Sequence, residues 1–250
     1  MSKKSRILPM KDSLSSYKVV KENLFDLPMK LVLVGKSELS GKSTVVGNLL
    51  LRPFADDDLD GKEFYKGDFK GENIYIVNPS IHLDTKFANI VQAKKIPAGN
   101  IYTSYDEEEL TELYKRLEEQ YEEEVANGKI EQKLLVLDDV GFSGALKEKM
   151  HGVLAKAFSN GRHIALSTIV TAQKYSSVST LLRENATGVI LFECSAKQLE
   201  LVAEDHAITS KKDFERMFRE ATRDKHTFMV VNYSNPVERR FMNSNFEPIS

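Results

Sequence analysis

The chain has 250 residues, 35 Lys and Arg against 37 Asp and Glu, a formal net charge of −2, 41% hydrophobic and 29% charged residues. That is enough chain for one large α/β domain, or two small ones, with a substantial core, but too little positive charge to coat nucleic acid over a whole surface. One cysteine, Cys194, excludes an intrachain disulfide and a Cys-based zinc site and suits a reducing compartment; no run nears the roughly 20 apolar residues of a bilayer span, and no apolar stretch follows the basic N-terminus to make a secretory signal.

Taken in chain order, residues 1–27 are polar and irregular and read as an arm, 28–235 as the folded domain, and 236–250 as a tail or edge strand. Within the domain, strands and helices alternate, which predicts an α/β fold with a mostly parallel central sheet and helices on both faces. Residues 29–34 read as a first strand and 42–51 as the helix after it. Residues 52–71, with Asp56, Asp57, Asp58 and several glycines, read as loop, and 73–77 as a strand ended by Asn78-Pro79. Residues 106–126 form a charged helix with Leu110, Leu113, Leu117, Tyr121 and Val125 at helical spacing. Its acidic runs, 107–109 and 122–124, read as a solvated face. A strand follows at 133–137, then an amphipathic helix at 145–159 capped by Asn160-Gly161. Strands are expected at 163–171, 187–192 and 227–232. The helix at 211–223 turns Phe214, Met217, Phe218 and Ala221 inward. Cys194, beside the apolar run Val189, Ile190, Leu191 and Phe192, reads as a buried small hydrophobe.

The loop between the first strand and helix carries the chemistry. It runs Gly35, Lys36, Ser37, Glu38, Leu39, Ser40, Gly41, Lys42, Ser43, Thr44. The pattern G-x-x-x-x-G-K-[ST] binds nucleotide because converging backbone N–H groups and a helix N-terminus hold the β-phosphate. The lysine spans the β- and γ-phosphates and the next hydroxyl ligates Mg²⁺. Gly41, Lys42 and Ser43 supply the second half unchanged. Gly35 stands one residue early, so Lys36 takes the usual first-glycine slot. Either the loop is one residue longer, or Lys36 adds charge near the phosphates.

A strand ending in Asp138-Asp139 supplies the carboxylates such a site needs. Asp138 is assigned to Mg²⁺ through the metal's water shell, with Ser43, and Asp139 to the attacking water. The next strand ends at Gln173, which would face the γ-phosphate because ligands of such sheets sit at the strands' carboxyl ends.

GKST after a strand, LLVLDD, and Arg162-His163 followed by Gln173, Arg183, Asn185 and an apolar strand form a set. It resembles the FtsK–HerA superfamily of DNA-pumping ATPases, and within it the poxvirus-type genome-packaging ATPases. The resemblance spans roughly residues 28–193. It implies a RecA/FtsK-like core, ATP and Mg²⁺ as cofactors, and a homo-oligomeric ring, pentamer or hexamer, around double-stranded DNA. It also implies a capsid or portal vertex protein as partner, action in the host cytoplasm or at the virus assembly site, and possible association with the virion. An arginine would reach the neighbouring subunit's ATP, with Arg162 preferred over Arg183.

Contact with the DNA backbone is expected from Lys94-Lys95, from Arg216, Arg219 and Arg223, from Arg239-Arg240, and from Lys3, Lys4 and Arg6. Two other readings are an AAA-type helper ATPase for replication or transposition and a nucleotide-binding assembly protein without turnover. No nuclease motif is present, so cutting of the genome is expected from another protein.

Overall fold

Apolar side chains alternate between two cores along the central strands, and this sets the layering. The computed structural model describes residues 17–19, 23–36, 40–51, 53–54, 62–143, 146 and 152–249. Strand β1 (Lys30–Val34) turns Leu31 and Leu33 to one core and Val32 and Val34 to the other. A strand buried on both faces needs a cover on each, and helices supply it.

In order, β1 leads to α1 (Lys42–Leu51), β2 (Pro53–Phe54), β3 (Lys62–Glu63), β4 (Ile74–Val77), α2 (Thr85–Lys94), β5 (Ile101–Tyr102) and α3 (Glu107–Ala126). Then come β6 (Lys133–Leu137), α4 (Val153–Asn160), β7 (Leu166–Ala172), α5 (Thr180–Asn185) and β8 (Gly188–Phe192). The chain ends with α6 (Ala196–His206), α7 (Lys211–Ala221), β9 (Phe228–Asn232) and β10 (Phe241–Met242). Among the described residues the main sheet has eight strands, ordered β10-β9-β8-β1-β7-β6-β4-β5. Pairing is parallel from β8 to β5 and antiparallel at β8–β9 and β9–β10. Helices α1 and α2 cover one face; α3, α4, α6 and α7 cover the other. None of the described helices is long and apolar enough to cross a membrane.

Several expectations need correction. The segment expected as loop contains the short hairpin β2–β3, and its Tyr65 and Phe69 are buried. Strand β7 begins at Leu166, not at residue 163, because Gly161–Ile164 form a 3-10 turn. Gly161 is right-handed at φ −51, and the left-handed residue that ends the turn is Ala165 at φ 55. Only part of the helix expected at 145–159 lies in the described residues, as the first turns of α4. The acidic cluster Asp56, Asp57 and Asp58 lies outside them. Helices α2, α5 and α6 had no counterpart in the hydropathy reading.

Leu24, Phe25 and Leu27, at the end of the segment read as an arm, are buried. The Tyr65 hydroxyl donates to Phe25 O at 2.8 Å and accepts from Phe25 N–H at 2.7 Å. Phe25 lies over Gly188, where an added Cβ would meet a ring carbon at 2.1 Å. Its ring also meets Phe246 edge-on at 6.1 Å, so the two ends of the described chain share one core.

The acidic face of α3 is not solvated throughout. The side chain of Glu124 is 12% exposed and accepts from the fully buried Lys133 Nζ at 2.7 Å, fastening the end of α3 to the start of β6. Glu107 Oε1 accepts from Val153 N–H at 2.6 Å and joins α3 to α4. Removing one partner of a buried pair strands a charge, whereas replacing the pair by apolar groups is close to neutral. Glu124→Ala is therefore expected to lower stability by about 3–5 kcal/mol, and adding Lys133→Met to recover most of the loss. Urea denaturation of the single and double variants checks this.

Candidate nucleotide site

The register of β1, β7 and β6 gathers the site. Val34 pairs with Ala172, and Leu137 with Val170, so the loop after β1 and the acids after β6 meet beside the end of β7. A cleft of about 230 Å³ opens there, lined by Ser40, Gly41, Lys42, Ser43, Asp138, Asp139 and Thr171. An adjoining hollow of about 150 Å³ is lined by Lys42, Asp139, Gln173, Lys174 and Ser177, among others.

Gly35 lets the loop fold back on the sheet. Its N–H donates to Ala172 O at 3.0 Å, and an added Cβ would lie 2.6 Å from Ser40 Cβ and 2.9 Å from Phe192 Cβ. Gly41 sits at φ +91, which favours glycine, and α1 begins at the next residue. Lys36 is exposed, and its carbonyl accepts from Ser40 Oγ at 2.7 Å. Ser37, Glu38 and Leu39 lie outside the described residues. Lys42 Nζ donates to Gly35 O at 2.7 Å and to Lys36 O at 3.3 Å. Burial lowers its pKa, against the pull of Asp138 and Asp139. Ser43 and Thr44 open the first turn of α1.

Asp138 is 5% exposed. Thr171 Oγ1 donates to its Oδ1 at 2.7 Å and Asn78 Nδ2 to its Oδ2 at 3.3 Å. Burial pushes the carboxyl up to about 6 from 3.8; the Thr171 bond and Lys42 oppose the rise, while Asp84 and Asp139 add to it. Asp139 leaves the strand at φ 52, its N–H donates to Thr171 Oγ1 at 3.2 Å, and its Oδ1 accepts from Gln173 Nε2 at 3.3 Å. The cleft thus joins a phosphate-binding loop, the Lys42 ammonium, and hard oxygen donors from Ser43, Asp138 and Asp139. That donor set fits Mg²⁺ and not a soft transition metal.

The two candidate arginines stand elsewhere. Arg162 is exposed in the turn before β7, at the opposite end of that strand from Gln173. Arg183, on α5, is ion-paired to Asp205, donates to Thr180 Oγ1 at 3.2 Å, and lies 4.9 Å from the Tyr175 ring centroid. Among the DNA-contact candidates, Arg216 and Arg219 are exposed on α7, and Arg223 is exposed two residues beyond its end, because the helix expected to reach 223 stops at Ala221. Lys94 is tied down, its Nζ donating to Lys66 O at 2.6 Å and Phe69 O at 3.0 Å, while Lys95 is exposed. Arg239 donates to Asn23 Oδ1 at 2.6 Å, and Arg240 lies 5.0 Å from the Tyr233 ring centroid. Lys3, Lys4 and Arg6 lie outside the described residues.

Sequence reasoning passed over Asn78, Ser80, Asp84, Lys86 and Thr171. In the sequence Asn78 reads only as a strand terminator. Asp84 signals a helix start: it caps α2 by accepting from Lys86 N–H at 2.9 Å and Phe87 N–H at 3.2 Å. Ser80, Asp84 and Lys86 line the cleft opposite the phosphate loop.

Sheet order, loop and acids define a P-loop NTPase. The family model for the Poxvirus A32 protein matches residues 68–241, well over half of the chain. The chain belongs to that family, and it is an ATPase of the P-loop class. No curated protein matches it in sequence. Among solved structures it is similar to the genome packaging NTPase B204 from Sulfolobus turreted icosahedral virus 2 in complex with AMPPCP, at 17% identity and TM-score 0.53, covering 83% of this chain and 93% of that one. The AMP complex of the same protein matches at 14% identity and TM-score 0.54, covering 83% and 94%. B204, the DNA-packaging ATPase from Sulfolobus turreted icosahedral virus, matches at 13% identity and TM-score 0.53, again covering 83% and 94%. These likenesses establish a common fold.

The Asp138 shift has a sign that can be checked. A carboxyl whose pKa is raised on folding holds its proton more tightly in the native state. Its contribution to stability is fully present below the unfolded value of 3.8 and is lost as pH rises through about 6. The stability of the wild type relative to Asp138→Asn is expected to decline between about pH 4 and 7, by a total on the order of 3 kcal/mol. Denaturant titrations of both proteins across that range, without nucleotide, check it.

Proposed function

We propose that this chain is an ATP-driven motor that moves double-stranded DNA and packages a viral genome into a preformed capsid. It would work as a ring of five or six copies with ATP between neighbours. The observation that carries the reading is the meeting of Lys42, Asp138, Asp139 and Gln173 beside one phosphate loop, in a chain of the Poxvirus A32 family. The likeness to B204, described as a viral DNA-packaging ATPase, supports it.

In this reading residues 28–235 are the ATPase domain. Backbone N–H groups of the loop and of the start of α1 hold the phosphates, and Lys42 turns from the loop carbonyls to the β- and γ-oxygens. Ser43 and Asp138 would hold Mg²⁺, which would supply neutralisation of the charge on the phosphates. Asp139 orients the attacking water and takes its proton. Gln173, bonded to Asp139, links the γ-phosphate position to the end of β7.

Arg162 is the better candidate for action on a neighbour. The seven residues of β7 separate it from Gln173, about 23 Å at the usual rise, too far to serve its own cleft. Arg183 would first have to leave Asp205 and the Tyr175 ring. The exposed stripe Arg216, Arg219 and Arg223 suits backbone contact with DNA, which is salt-sensitive and blind to sequence. A capsid or portal protein at the assembly site completes the machine.

The test is ATP hydrolysis with and without duplex DNA, at low and high salt. Hydrolysis is expected to need Mg²⁺, to rise with DNA and to fall with salt, and Lys42→Ala and Asp139→Asn are expected to abolish it. Hydrolysis indifferent to DNA would turn the reading toward a helper ATPase. Arg162→Ala should lower the rate by about 10³-fold or more while sparing ATP binding. Mixing Arg162→Ala with Asp139→Asn should restore partial hydrolysis, since a mixed interface joins one protomer's Arg162 to another's Asp139. No recovery on mixing would remove Arg162 from the shared site.

A further inference from the structure

We infer that Thr171 is a positioning residue for ATP hydrolysis, its one hydroxyl holding both aspartates of the cleft in working geometry; this rests on the hydrolytic reading above. Thr171 is 1% exposed near the end of β7. Its Oγ1 donates to Asp138 Oδ1 at 2.7 Å and accepts from Asp139 N–H at 3.2 Å. A hydroxyl has one proton to give, so donation to Asp138 leaves only lone pairs for Asp139, and the two bonds together fix the rotor.

Each bond fixes something different. The first sets the plane of the Asp138 carboxylate, whose other oxygen has the longer contact from Asn78 at 3.3 Å. The second braces a left-handed residue. Asp139 stands at φ 52, a conformation uncommon outside glycine, though Asp and Asn tolerate it better than most. That turn takes the chain off β6 and carries the Asp139 carboxylate to Gln173. Asp139 is therefore gripped twice from the end of β7, at its N–H by Thr171 and at its carboxylate by Gln173.

A buried hydroxyl needs some partner, and that alone would explain one bond. The same strand shows that β7 does not impose it. Thr168 is fully buried in β7, and its Oγ1 has no hydrogen-bond partner among the described residues. Burial in this strand tolerates an idle threonine hydroxyl, whereas the hydroxyl at the cleft makes two bonds to two acids. Thr168 is thus an internal control for the loss of a hydroxyl from the strand.

The experiment compares Thr171→Val, Thr171→Ser and Thr168→Val with wild type. It measures melting temperature, binding of a fluorescent ATP analogue without metal, Mn²⁺ binding by EPR in the presence of a non-hydrolysable analogue, and kcat and KM. Thr171→Val is expected to fold and to bind nucleotide without metal as wild type does. It should bind Mn²⁺ more weakly and lose about 10²-fold in kcat with KM changed by no more than about threefold. Thr171→Ser should restore both, and Thr168→Val should behave as wild type. Hydrolysis and Mn²⁺ binding by Thr171→Val at wild-type levels, or an equal loss in Thr171→Ser and Thr171→Val, would overturn the inference. If Thr171→Val does not fold, Thr171→Ala against Thr171→Ser makes the same comparison. A wild type that hydrolyses no faster than Lys42→Ala would instead sink the hydrolytic reading, a result separate from all of these.

Discussion

Strand β7 is the member on which the arrangement depends. Among the described residues it alone bridges, in parallel, the strand that carries the phosphate loop and the strand that carries the acids, and all seven of its residues are buried. Because side chains in a strand alternate, a slip of one residue in its pairing would exchange the two cores along its length. The hydrophobic pattern therefore fixes the register, and the register fixes which polar group stands beside Asp138. Packing and the site's geometry are one constraint here: Leu166, Ile169 and Val170 have the two faces of the sheet to satisfy, and Thr171 takes its place as a result.

The cleft is built from charges that burial disfavours. The Lys42 ammonium and the Asp138 carboxyl are each shifted toward their neutral forms, with burial as the leading cause in both. Their mutual attraction recovers part of that cost. Phosphate oxygens beside the lysine and a divalent cation beside the carboxylate would each favour the charged form. Nucleotide and metal are thus expected to bind together and to stiffen a polar region that is expensive by itself. The same logic separates this cleft from the Lys133–Glu124 pair, where partner and burial are both supplied by the fold and nothing is left for a ligand.

Much of this was legible in the sequence, for reasons that can be named. The strand at β6 and helix α1 match their expected bounds, because each is a dense apolar run with a sharp polar boundary. The pairing of Asp139 with Gln173 concerns residues singled out by their place at strand ends. What was not legible depends on contacts between distant segments. Helix α2 buries only Phe87 and Ile90, so its pattern is faint, and its clearest mark is the cap at Asp84. Glu124 looks like its acidic neighbours until Lys133 is brought against it. Thr171 is one β-branched residue among several in a strand, and nothing local distinguishes its hydroxyl from that of Thr168. Arg183 and Lys94 carry the charge expected of a ligand contact, yet Asp205 and the carbonyls of Lys66 and Phe69 already claim it.

The place of β1 in the sheet has a consequence for how the protein is made. Its neighbours are β7 and β8, whose residues come more than a hundred positions later in the chain. The core beneath it also includes Phe228, Val230, Met242 and Phe246. On a ribosome, the phosphate loop emerges long before the strands that hold it. Contacts so far apart in sequence form late and slowly. The earliest segment to carry the nucleotide-binding motif is therefore among the last to become structured, and a nascent chain has no formed phosphate loop until β7, β8 and the strands that follow them have been synthesised.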